Sequence, residues 1–255
     1  MIFSIARKFA RNLGVDARRA NFLTVPELRI VHFLKRLNVG LVLDVGANMG
    51  QFATALFDDG YSGRIISFEP LPDAHSRLVL AARKRPEWTV APRLALGRAP
   101  GTASLYIAGN SVSSSLLAMA DTHVVAVPES RSVGTVEVEV HRLDDVLEAL
   151  GVTTERILLK LDTQGTEHDI LQGAPQTLER VVGIKVEHSL VELYHGQVLF
   201  ENLDVHIRRL GFQLWDLVPG FRHPQTGRLL QCDGIYFRSE PDSNASAEPF
   251  KKDSR

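Results

Sequence analysis

The chain has 255 residues, 44% of them hydrophobic and 23% charged, which suits one large soluble α/β domain with decorations and a substantial core. Its 29 basic and 30 acidic residues leave a formal net charge of −1, so no global field favours nucleic acid or an anionic surface. The one cysteine, Cys232, excludes an intramolecular disulfide and a thiolate cluster for zinc or iron–sulfur. No run of about 18 apolar residues is present to span a membrane, and a reducing, cytoplasmic location fits.

The N-terminal stretch to Leu23 lacks the apolar core and cleavage site of a signal peptide. It carries Arg7, Lys8, Arg11, Arg18 and Arg19 against Asp16, with Phe3, Ile5, Phe9 and Leu13 at helical spacing. A helix docked on the domain is the simpler reading, and a peripheral membrane contact is the alternative. Residues 27–38 then have the apolar spacing of a helix, ended by Asn38-Val39-Gly40. "LVLDVG" (41–46) is a continuous apolar run, as in a strand buried on both faces of a parallel sheet. A helix over 50–59 and a strand over 63–70 complete a βαβ unit.

A helix at about 72–84 and a strand within 88–97 continue the alternation. Between Gly97 and Glu155 two strand-like pieces, 102–108 and 134–143, interrupt any simple crossover. In the second, Val136, Val138 and Val140 alternate with Glu137, Glu139 and His141, which predicts a half-exposed strand. "RILLKLD" (156–162) is again a buried strand, followed by a helix for which Thr166 and Asp169 offer a capping pair. Strands at 181–188, 212–217 and 232–238, and a helix at 199–210, finish the pattern. The division expected is a helical extension over 1–38, a catalytic domain over 39–238 and a disordered polar tail over 239–255.

Three buried strands end in Asp44, Glu69 and Asp162, and a fourth ends in Glu187. In an open parallel sheet ligands bind beyond the C-terminal strand ends, where strand order reverses, so these acids are expected to converge on one crevice. The turn "DVGANMGQF" (44–52) has Gly46 and Gly50 but Asn48 where a dinucleotide fingerprint needs its middle glycine. Glu69, 23 residues after Gly46, is placed to accept both hydroxyls of a ribose. With Asn48 in the turn and Asp44 taken to lie at its mouth, a phosphate-free, positively charged nucleoside fits better than a pyrophosphate. S-adenosylmethionine has that chemistry. A nicotinamide-linked oxidoreductase and a catalytically silent partner subunit are the alternatives. No G-x-S-x-G elbow or Walker loop supports a hydrolase or an ATPase.

The sequence resembles the FkbM-type methyltransferases through "DVGANMGQF", "FEP" (68–70), "ALG" (95–97), "SSSLL" (113–117), "RLDD" (142–145), "LLKLDTQGTEHDILQGA" (158–174), "VE" (186–187), "LYHGQ" (193–197) and "LGF" (210–212). The resemblance implies a Rossmann-like class I methyltransferase: a mostly parallel seven-stranded sheet with the last strand antiparallel, helices on both faces and a hairpin-like insertion. It also implies S-adenosylmethionine as cofactor and methylation of oxygen, often a hydroxyl of a saccharide, glycolipid or glycosylated natural product. Thr163, Thr166 and His168 depart from the family pattern, which bears on the substrate more than on the reaction.

On that basis Asp44, Gly46, Asn48 and Gly50 are expected around the methionine end of the cofactor, Glu69 at the ribose and Ala95 near the adenine. Asp162 is the first candidate for the base that takes the hydroxyl proton, with Glu187 and His188 beside it. A divalent cation held by those three is not favoured, because no i, i+4 ligand pair accompanies them. Ser114 and Ser115, in a serine cluster with Ser113, and Tyr194 and His195 are the expected substrate-side residues. The acceptor itself and the oligomeric state leave no readable pattern.

Overall fold

In the computed structural model, residues 12, 14, 20–153 and 156–238 are described; the basic N-terminal segment and the polar tail 239–255 lie outside them. Five continuous or nearly continuous apolar runs form the centre of a seven-stranded sheet. In chain order its strands are β1 (Leu41–Val45), β2 (Arg64–Phe68), β3 (Trp88–Val90), β7 (Ile157–Leu161), β8 (Val181–Ser189), β9 (Phe212–Pro219) and β10 (Gln231–Arg238). Their spatial order is β3-β2-β1-β7-β8-β10-β9. All run parallel except β10, which is antiparallel to both neighbours. The order reverses between β1 and β7, so the ligand crevice belongs there.

Helices cover both faces. On one, α1 (Pro26–Arg36), α2 (Gln51–Asp58) and α3 (Pro72–Ala82) pack over Val42, Ile65, Leu158, Ile235 and Phe237. On the other, α5 (Leu143–Ala149), α6 (Glu167–Gln172), α7 (Pro175–Arg180) and α8 (Phe200–Arg209) pack over Leu41, Leu43, Leu159, Ile184 and Val186. Opposite parities along each strand face opposite layers, as the pleat requires. Among the described residues no helix is long and apolar enough to cross a membrane.

A second sheet, ordered β4-β6-β5, is built from β4 (Ala95–Leu96), β5 (Gly101–Ala108) and β6 (Ser132–His141). Here β5 and β6 pair antiparallel, and the chain between them holds α4 (Asp121–Ala126) and a 3₁₀ turn, Pro128–Ser130. Val138 is buried, and Val136 and Val140 pack with it against Leu71, Ala74 and Leu105, whereas Glu137 and Glu139 are exposed. The alternation read in the sequence is therefore real.

Three expectations change. The run 88–97 is two strands in two sheets, because Pro92 has no N–H to continue a ladder. The segment before β7 also holds α4 and α5, short helices in which too few apolar positions repeat to be read. Thr166 makes no side-chain cap. Instead the Glu167 carboxylate accepts the N–H groups of Thr163 (2.8 Å) and Gly165 (3.0 Å), and the Thr163 hydroxyl (3.1 Å). That buried acid, whose carboxyl burial pushes up, moulds the loop that follows β7.

Candidate active site

The C-terminal strand ends open into a crevice of ≈ 490 Å³ that runs from Glu69, just after β2, past Gly46 and Asp162, to Glu187 and Gln231 on β8 and β10. The small sheet and the serine-rich loop roof it with Leu105, Ser113, Ser114, Ser115 and Leu116. Its size is that of a small-molecule or cofactor site.

The turn after β1 is left-handed at Gly46 (φ 74°), Asn48 (φ 47°) and Gly50 (φ 89°). A side chain on Gly46 would place its Cβ 1.8 Å from the Asp162 carbonyl oxygen, and one on Gly50 would meet Trp88 at 2.5 Å. Asparagine is among the few non-glycine residues that take this conformation readily. The Asn48 Oδ1 also accepts the Met49 N–H at 2.9 Å and the Gln51 amide at 3.2 Å. Every N–H of the turn is then occupied. Gly46 and Ala47 donate to the Phe68 carbonyl (3.1 and 3.0 Å), Asn48 to Glu69 Oε2 (2.8 Å), Met49 to Asn48 and Gly50 to the Ala47 carbonyl (2.8 Å). No N–H of the turn itself remains to cradle a pyrophosphate, which dinucleotide turns bind through such groups.

Asp44 requires a correction. It does not line the crevice but lies beneath it, fully buried, 3.0 Å from the Lys160 ammonium and 3.3 Å from the Ser67 hydroxyl. Its charge is matched inside the protein, so it does not set the turn's choice of ligand; the occupied N–H groups do. Lys160, on β7, also donates to the Gly46 carbonyl (2.9 Å) and lies 3.5 Å from Asp162. Burial opposes its charge, but Asp44 and Asp162 hold the ammonium above the ordinary lysine range. Lys160→Met should cost about 3–5 kcal/mol, because it strands a buried carboxylate. Urea unfolding checks this, and Asp44→Asn in the same chain should recover most of the loss.

Glu69 is held in place by the N–H groups of Asn48 and Leu71, each at 2.8 Å, one on each oxygen. Burial pushes its carboxyl up and these two bonds pull it back. Each oxygen keeps a lone pair, so the carboxylate can accept two neighbouring hydroxyls. Pro70, Leu94, Ala95 and Leu96 form an apolar shelf beside it. These residues fit an adenosine.

Across the crevice Asp162 and Glu187 share one amide group. Gln164 Nε2 donates to Asp162 Oδ1 at 3.0 Å and to Glu187 Oε2 at 2.7 Å, while its Oε1 lies 2.9 Å from the Tyr194 hydroxyl. Gln164 is itself left-handed (φ 58°), a conformation a glutamine adopts only when its surroundings enforce it. Gln231 donates a second amide bond to Glu187 at 2.7 Å. Burial, and then the nearby Asp162, push the Glu187 carboxyl well above the usual carboxylate range.

Of the expected substrate-side residues, Ser114 and Ser115 line the crevice. Tyr194 does not: it is buried and acts on the site through Gln164. His195 is exposed outside the crevice, because the chain reverses between Tyr194 and Gln197.

His188 also departs from expectation. Strand alternation sends it to the face opposite Glu187, where it is fully buried and 2.9 Å from the Tyr236 hydroxyl, which lies 2.9 Å from Asp204. It cannot join Asp162 and Glu187 around a cation, and no three potential ligand side chains converge among the described residues. Burial lowers its pKa to about 4. The unfolded chain therefore binds the proton first, and stability present above about pH 6.5 should fall by about 3 kcal/mol as pH drops towards 4. Unfolding midpoints across that range check this.

Sequence reasoning passed over Lys160, Gln164, Lys185 and Gln231. Two of them had a signal, because Lys-Leu-Asp (160–162) and Lys-Val-Glu (185–187) repeat one pattern at the ends of adjacent strands. A lysine two residues before a crevice acid shares its face.

The profile of the methyltransferase FkbM domain matches residues 44–214. The chain belongs to the FkbM methyltransferase family. This makes it an S-adenosylmethionine-dependent methyltransferase, and its strand order is that of the Rossmann-like class I fold. The 2-O-methyltransferase NoeI of Sinorhizobium fredii is 28% identical over 174 residues, 62% of this chain and 67% of its own. Among solved structures, the methyltransferase domain of bacterial CtHen1 is 10% identical, with a TM-score of 0.45 and coverage of 86% and 100% of the two chains. The glycopeptide N-methyltransferase MtfA complexed with S-adenosylmethionine is 10% identical, with a TM-score of 0.40 and coverage of 82% and 87%. The fold assignment rests on this chain's own strand order, not on those scores.

Proposed function

We propose that this FkbM methyltransferase is an O-methyltransferase acting on a hydroxyl of a saccharide, glycolipid or glycosylated small molecule. The observation that carries the reading is the amide-bridged carboxylate pair Asp162–Gln164–Glu187, set across one crevice from Glu69. Bound S-adenosylmethionine supplies an electrophilic methyl group on a sulfonium. A hydroxyl is a weak nucleophile until a base takes its proton, whereas many amines attack unaided. A paired-carboxylate wall suits the first.

Asp162 is the proton acceptor in this reading. Its side chain is 36% exposed at the crevice, and Lys160 and Gln164 fix its orientation. Glu187 is held by two amides deeper in the wall, where burial and then the nearby Asp162 push its carboxyl up. In such a transfer the sulfonium–methyl bond would break as the oxygen–methyl bond forms, releasing S-adenosylhomocysteine; Asp162 would take the hydroxyl proton, and the apolar roof of Leu105 and Leu116 would limit water. The similarity to NoeI, a 2-O-methyltransferase, supports oxygen as the target.

The test uses S-adenosyl[methyl-³H]methionine with an extract of cells in which the gene is deleted. Label in an alkali-stable methyl ether of a saccharide-containing product is the expected result. Label confined to nitrogen, or to alkali-labile esters, would reject the reading.

A further inference from the structure

The amino-acid tail of the cofactor ends in a carboxylate, and a carboxylate entering a half-buried crevice needs a donor of matching charge. The turn offers none: all five of its N–H groups, from Gly46 to Gly50, are taken within the protein. Lys160 is spent as well, since its three N–H groups face Asp44, Asp162 and the carbonyls of Val45 and Gly46. His123 lines the crevice, but burial lowers its pKa and favours the neutral ring.

Lys185 remains. It stands on β8 in register with Lys160, lines the crevice and has a side chain 15% exposed. Its ammonium pairs with Asp233 Oδ2 at 2.7 Å, which uses one of three donors. The Phe52 ring, in the first turn of α2, has the two ammonium groups 5.6 Å (Lys185) and 5.7 Å (Lys160) from its centroid. Two cations thus share one aromatic ring, and only one of them is saturated by the protein.

We infer that Lys185, braced by Asp233 and held against Phe52, binds the carboxylate of the cofactor's amino-acid tail. A charge-assisted bond of this kind is the strong sort of hydrogen bond, and its partner Asp233 keeps the empty crevice from carrying an isolated buried cation. The inference rests on the crevice taking S-adenosylmethionine, and the controls separate the two.

Calorimetric titration of S-adenosylhomocysteine and of 5′-methylthioadenosine, which lacks the amino-acid tail, tests it. Lys185→Met should weaken S-adenosylhomocysteine by ~10- to 100-fold, the worth of a charged hydrogen bond, and leave 5′-methylthioadenosine within about twofold. Lys185→Met with Asp233→Asn removes both charges, so that no carboxylate is left unpaired, and should give the same pair of results. Unchanged S-adenosylhomocysteine binding in both variants would overturn the inference and leave the N-terminus of α2 as the donor. Equal weakening of both ligands would also overturn it, because the effect would then lie in the crevice and not the tail. A wild type that binds neither ligand would instead reject the cofactor assignment itself.

Discussion

Asp162→Asn is expected to lower methyl transfer by ~10²- to 10⁴-fold, the usual range for a positioned general base. The variant keeps the size of the side chain and its contact with Gln164 but removes the lone pair that takes the proton. S-adenosylhomocysteine affinity should stay within about threefold, since the carboxylate faces the acceptor in this reading. Glu187→Gln offers the contrast. It removes the group whose carboxyl burial and Asp162 push up, so the acid limb of the pH–rate profile should change shape while much of the rate persists. Initial rates with tritiated cofactor, paired with calorimetry, check both variants. If Asp162→Asn retains full turnover, the proton goes elsewhere and the carboxylate pair is a structural wall.

Glu69→Ala is expected to weaken S-adenosylhomocysteine by ~100-fold or more, from the loss of two hydrogen bonds to a charged acceptor. Its second consequence is local. Glu69 accepts the Asn48 and Leu71 N–H groups, so its removal also frees the left-handed turn it holds. Glu69→Gln separates the two effects, because one amide oxygen can keep a backbone bond while the paired acceptors for a ribose are lost. Its affinity should fall between those of wild type and Glu69→Ala. Unchanged affinity in Glu69→Ala would remove the ribose from the β2 end of the crevice.

Much of this was legible in the sequence because buried parallel strands announce themselves. β1, β2, β7 and β8 are apolar runs closing on an acid, and their shared crevice follows from sheet geometry. Asn48 was read correctly as a departure from a phosphate-binding turn, but the physical reason lies in three-dimensional structure. The turn N–H groups are consumed by Phe68, Glu69 and the turn itself, and such pairings across β2 are not written in spacing.

Asp44 was misplaced for a similar reason. An acid at a strand end looks ligand-facing until its partner is known, and Lys160 is contributed by a strand 116 positions later in the chain. His188 was misread because adjacent residues on a strand point to opposite faces, so it cannot share the crevice with Glu187. Tyr194 and Gln164 come from distant loops, and only folding shows that one orients the other. The segment 98–155 was least readable: α4, α5 and the small sheet are short, half-exposed elements whose apolar pattern is thin.

The most direct test of the whole reading is calorimetric titration of the wild-type protein with S-adenosylhomocysteine and, separately, with NADH. One-site binding of S-adenosylhomocysteine, with no heat from NADH, is the predicted result. Binding of NADH without S-adenosylhomocysteine would contradict the cofactor assignment and everything built on the crevice.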